Sequence, residues 1–146
     1  MKQVITVFIA VLFFIGASAQ FRNIPGAVTN AFTQKYPAAT NVEWDDRISS
    51  FQAKFIKDNA TYEARFDKNG NWLETEKAIT YDALPESVKS SFKSSKFNDF
   101  TVRTVAEIEK ANGGKEFRLY IRDNVVKRKY LYYTPEGTFL REDTKI

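Results

Sequence analysis

Apolar residues recur along the chain with two different periods. Ile24-Pro25 opens a stretch in which Val28, Phe32 and Tyr36 stand four residues apart, and Leu84-Pro85 opens another with Val88 and Phe92 at the matching places. A four-residue rhythm lines one stripe of a helix. Proline at the first helical position loses no useful donor and is already set near the helical φ. Pro37 closes the first stretch, because the residue before a proline is pushed out of the helical region. The pattern predicts two helices of about eleven residues.

Elsewhere the period is two. Val42 and Trp44 alternate with polar neighbours, as do Phe51, Ala53 and Phe55, then Tyr62, Ala64 and Phe66, with Trp72-Leu73 opening a further segment. Val102, Thr104, Ala106 and Ile108 alternate next, followed by Phe117, Leu119 and Ile121 and by Tyr130 and Tyr132. Such alternation predicts antiparallel strands with one face on a core. Turn residues fill the gaps: Asp58-Asn59, Asp67-Lys68-Asn69-Gly70, Asn112-Gly113-Gly114, Asp123-Asn124 and Pro135-Glu136-Gly137.

The two helix starts are followed by similar endings. Phe66-Asp67-Lys68-Asn69-Gly70-Asn71-Trp72-Leu73-Glu74 corresponds to Tyr133-Thr134-Pro135-Glu136-Gly137-Thr138-Phe139-Leu140-Arg141: aromatic, turn, glycine, small polar, aromatic, leucine, charge. The expected fold is therefore α+β, a tandem repeat of a helix followed by an antiparallel β-meander. The units are residues 20–78 and 79–146, joined around Ile79 to Asp82 in one compact body.

Residues 1–19 fall outside that scheme. Lys2 precedes an apolar run from Val4 to Ile15, and Gly16-Ala17-Ser18-Ala19 supplies small residues for cleavage. This is the three-part secretory signal, with an apolar run too short to span a bilayer comfortably. No membrane span is expected after cleavage. The chain has no cysteine, which for a small exported protein points to a bacterial periplasm or cell exterior. The net charge of +4, one unit of it in Lys2, speaks to solubility and gives no nucleic-acid footprint.

The run Ile24-Pro25, Val28, Phe32, Tyr36-Pro37, then Val42-Glu43-Trp44, then Phe66-Asp67 with Gly70 and Trp72, resembles the PepSY-like group. These are secreted bacterial proteins also described as β-lactamase-inhibitor-like. The resemblance spans nearly all of residues 24–142. It implies helices packed on a curved antiparallel sheet, and a role in binding or inhibiting another protein. The β-lactamase inhibitors carry disulfides and this chain has no cysteine, so no inhibitory residue is carried over.

Candidate chemistry is sparse. Histidine and cysteine are both absent, which removes the commonest general base, the thiolate nucleophile and the usual ligands of zinc, copper and haem. No metal or other cofactor is expected. The stretch Ser87 to Ser95 with Lys89 and Lys93 reads as a solvated helix face. Glu43, Asp45 and Asp46 could serve a carboxylate-dependent hydrolase, but Glu43 and Asp45 have the look of the wet side of an edge strand. Asp67, Asn69, Asn71 and Glu74 fail the calcium-loop order, because glycine stands fourth and glutamate eighth instead of sixth and twelfth. Lys127-Arg128-Lys129 reads as a basic strand edge that discourages aggregation.

Aromatic surplus remains, with 13 Phe, 7 Tyr and 2 Trp. Large residues occupy both faces of the segment around Tyr130 to Tyr133, and only one face needs to be core. Tyr120, Tyr130 and Tyr132 are expected to form an exposed patch, extended by Trp72 or Trp44. Aromatic surface flanked by Arg and Lys is how interfaces are built. The expected function is that of a secreted non-catalytic protein engaging a protein or an envelope polymer. The alternatives are a small-ligand or envelope-sensing module with an enclosed pocket between helix and sheet, and a hydrolase using Glu43 with Asp45 or Asp46.

Overall fold

In the computed structural model the described residues are 23–123 and 127–144. The signal segment and part of the Asp123-Asn124 turn lie outside them. Helix α1 runs Gly26–Lys35, followed by strands β1 (Thr40–Asp46), β2 (Phe51–Lys57), β3 (Ala60–Phe66) and β4 (Trp72–Ile79). A 3-10 turn (Tyr81–Ala83) leads into α2 (Glu86–Lys93), then β5 (Thr101–Lys110), β6 (Lys115–Arg122), β7 (Arg128–Tyr133) and β8 (Phe139–Thr144).

Pro25 and Pro85 stand one residue earlier than expected, as caps with extended ψ. Pro25 O accepts from Val28 N at 2.9 Å and Pro85 O from Val88 N at 3.0 Å, so each starts its helix through its carbonyl.

The expected tandem repeat of helix-plus-meander units is not what the chain forms. All eight strands make one antiparallel sheet in the order β1-β2-β3-β4-β5-β6-β7-β8. The proposed join is no seam, since β4 pairs with β5 over six registered positions from Glu74↔Lys110 to Ile79↔Val105. The helices are two short segments, of 10 and 8 residues. A sheet whose strands follow one another needs only hairpin turns, and those turns are set by backbone. Asp58 and Asn59 take positive φ (50° and 59°), as do Gly70, Gly113 and Gly137. Lys127-Arg128-Lys129 is no sheet edge, because β7 is paired on both sides; β1 and β8 are the edges.

Both core clusters lie on one face, while Ala106, Ile108 and Tyr132 are buried on the other, because the bulge between Val102 and Thr104 turns Ala106 and Ile108 away from the helices. Val28 and Phe32 of α1 join Phe51, Ala53, Phe55, Ala64 and Phe66 in one cluster. Val88 and Phe92 of α2 join Val105, Phe117, Leu119, Ile121, Leu131 and Tyr133 in another. Leu131 and Tyr133 are thus the inward side of β7, which leaves Tyr130 and Tyr132 on the opposite face by alternation.

Candidate functional site

The second face of the sheet carries the chemistry. Asp46 to Ser50 after β1 and Asp143 of β8 line the same cleft, of about 790 Å³. In a flat sheet seven strand spacings would hold β1 and β8 about 34 Å apart. The sheet therefore curls, and its open face forms the floor of the cleft.

That floor is an ordered lattice of opposite charges whose partners stand on different strands. Arg65 of β3 meets Glu74 of β4 at 2.8 Å, Glu74 meets Lys110 of β5 at 2.6 Å, and Arg141 of β8 meets Glu116 of β6 at 3.1 Å. Lys110 also lies 3.8 Å from Glu116, so the row is continuous from β3 to β8. A second row joins Arg118 of β6 to Glu76 of β4 through both carboxylate oxygens, at 2.8 and 2.5 Å. This fork geometry fixes both side chains. Burial pushes the Glu76 carboxyl above its ordinary 4.5, and the Arg118 guanidinium opposes the shift.

The tyrosines stand on this lattice. Tyr120 is opposite Tyr130 and Arg118 is opposite Tyr132 across the β6–β7 ladder. The Tyr120 and Tyr130 rings are 5.2 Å apart, and the Arg118 guanidinium lies 4.9 Å from the Tyr130 ring. Arg141 covers Tyr132 at 3.6 Å. Burial raises the Tyr132 hydroxyl above its ordinary 10.0, with Arg118 and Arg141 pulling the other way. These are cation–π contacts that hold the rings in place before any partner arrives.

Of the five expected aromatic residues the structure puts three on one face, but not as the exposed patch expected: Tyr120 and Tyr130 are half-buried and Tyr132 is buried beneath Arg141. Trp44 is opposite Ala53 and stacks edge-on against Phe32, 5.3 Å between centroids, on the helix side. Trp72 is there too: its indole donates to Thr75 at 2.8 Å and the Lys35 ammonium sits 3.6 Å above its ring. Neither tryptophan extends the tyrosine patch. Glu43 and Asp45 are exposed on β1, with Asp45 held by Arg47 at 2.9 Å, and Asp46 borders the cleft. The buried carboxylate is Glu74, weighed in the sequence only as a calcium-loop residue, with Glu76 partly buried beside it.

Among the described residues no group of three or more acidic residues could hold a metal ion, and no helix is long and apolar enough to cross a membrane. The helix-backed core packs one face of the sheet, and a charged, ring-bearing cleft lies on the other. The chain belongs to the PepSY-like family, described as "Putative beta-lactamase-inhibitor-like, PepSY-like", whose model matches residues 49–141.

Solved structures agree on the fold. A BLIP-like protein from Bacteroides fragilis is 28% identical with a TM-score of 0.73, and the match covers 86% of this chain and 89% of that one. A DUF2874 family protein from Bacteroides ovatus is 25% identical with a TM-score of 0.77, covering 85% and 89%. A "putative periplasmic" protein from Bacteroides eggerthii is 22% identical with a TM-score of 0.76, covering 82% and 88%. No functionally curated protein matches the chain.

Proposed function

We propose that this is an exported, non-catalytic binding protein that seats another envelope or extracellular protein against the open face of its sheet. One observation carries the reading: the face opposite the helices holds Tyr130 and Tyr132 in a cleft, with Tyr120 stacked beside Tyr130, and arginines fix the two cleft rings. Fixed aromatic and arginine side chains lose little entropy on binding and dominate interface energetics.

The family and the BLIP-like relative support an inhibitor-like role of this kind. Export is supported by the secretory pattern of residues 1–19 and by the periplasmic description of the Bacteroides eggerthii relative. The small-ligand alternative has its best place in a hollow of about 380 Å³ between α2 and the last hairpin, lined by Ser95, Phe97, Tyr133 and Phe139.

The test is capture from an envelope extract of the source organism by the immobilised protein, compared with Tyr130→Ala. Tyr130 is half-buried and outside both core clusters, so the variant is expected to keep its circular dichroism. A partner retained by the wild type and reduced at least tenfold by the variant is the expected result. Equal retention by a folded variant would remove the tyrosine face from the interface.

A further inference from the structure

We propose that the end of the open face marked by Arg122 and Arg128 receives an acidic segment of a partner protein; the proposal rests on the open face being the binding surface. The two arginines are directly opposite each other across the β6–β7 ladder, in register with Tyr120↔Tyr130 and on the same face. Like charges facing each other weaken an antiparallel pair. The rest of the face relieves such charge locally. Arg65 has Glu74, Arg118 has Glu76 and Arg141 has Glu116.

Arg122 and Arg128 form no ion pair with a described carboxylate. Asp143, opposite Tyr130 on β8, is the acid on the neighbouring strand, and it leans towards Arg141 at 3.9 Å. Positive charge accumulates further at this end. Exposed Arg103 is the extra residue of the β5 bulge between Val102 and Thr104, and exposed Lys127 precedes β7. Two guanidiniums at ladder spacing can each hold a carboxylate through two hydrogen bonds. They pass directly into the Tyr120–Tyr130 ring pair, which favours a protein segment with acidic and apolar side chains over a uniformly anionic surface.

Arg118 and Arg141 serve as an internal comparison. They share the face and contact the same tyrosines, yet their charge is already spent on Glu76 and Glu116. Arg122 and Arg128 face each other beside the ring pair with no described carboxylate at ion-pair distance, so a partner's carboxylates are directed there, and binding fixes the orientation of the partner on the sheet.

The experiment titrates the 15N-labelled protein with hexaglutamate at low salt, following the arginine side-chain Nε–Hε signals, with hexaglutamine, inorganic phosphate and phosphatidylglycerol vesicles as comparisons. Saturable movement of the Arg122 and Arg128 signals by hexaglutamate alone is expected. Arg122→Gln combined with Arg128→Gln should lower affinity at least tenfold and raise the thermal midpoint, because the facing charges are gone. Lys115→Gln, on the other face, should change affinity less than twofold. An equal loss with Lys115→Gln, equal binding of phosphate, or binding to the vesicles without binding to the peptide would each overturn the proposal. If hexaglutamate fails while Tyr130→Ala still abolishes capture of a partner, only the acidic-segment assignment falls. If Tyr130→Ala leaves capture intact, the open-face reading falls first.

Discussion

Gly137 shows how one residue sets the position of the site. Its φ is +87°, and a Cβ there would stand 2.5 Å from the Ser87 carbonyl oxygen. The turn before β8 is therefore pressed against the first turn of α2, and the Ser87 hydroxyl donates to Pro135 O at 2.6 Å to hold it. Gly70 repeats the arrangement against Ala27 in α1, with a φ of +86° and a 2.5 Å approach. Gly137→Ala should cost about 2 kcal/mol, combining left-handed strain with the clash. Gly113→Ala has the same strain at φ +81° with nothing nearby, and should cost about 1 kcal/mol. Urea unfolding of both variants checks the difference. Equal costs would mean that the contact with α2 contributes nothing. The glycines were legible as turn residues, but their pressure on the helices was not, because it depends on which elements meet. Trp72 misled for a related reason. Strict alternation would place it with Glu74 on the open face, but the bulge between Arg65↔Glu74 and Phe66↔Trp72 inserts Leu73 and turns the indole to the helix side.

Individual strands were visible in period-two alternation, since Phe51, Ala53 and Phe55 or Phe117, Leu119 and Ile121 can only be one buried face. Their union into one sheet was not. Nothing in the residues of β4 says that its free side pairs with β5, and the similarity of residues 66–74 to residues 133–141 suggested two repeats in one compact body without saying whether they share a sheet. The charge rows were hidden for the same reason, because Glu76 and Arg118 lie 42 residues apart and meet only through the β4–β5–β6 register. Glu74 is the test of that continuity. It is 7% exposed and bridges Arg65 of β3 to Lys110 of β5. Glu74→Ala should cost about 2 kcal/mol, a figure discounted from a fully buried pair because both cations are partly wet. Asp45→Ala on the exposed edge strand should stay within about 0.5 kcal/mol. Chemical denaturation separates them, and a Glu74→Ala variant as stable as Asp45→Ala would show that the row does not tie β3 to β5.

At the scale of the whole molecule, the division of labour follows from the sheet having two faces and the core needing one. Alternation named the three tyrosines as an exposed group; the structure puts Tyr120, Tyr130 and Tyr132 on one face, with Tyr132 buried there. What alternation could not say is which side the helices would cover, since Leu131 with Tyr133 and Tyr130 with Tyr132 are equally bulky pairs. The filled clusters beneath α1 and α2 decide it. The charged cleft on the other side is the surface we propose for a partner.

The most direct test of that claim is side-chain oxidative footprinting of the protein alone and in complex with the protein it captures. The account predicts that Tyr120 and Tyr130 lose labelling in the complex. Phe139 and Tyr81, outside the open face, should be labelled as before. Protection of Phe139 and Tyr81 with Tyr120 and Tyr130 unchanged would place the interface on the helix side and contradict the account.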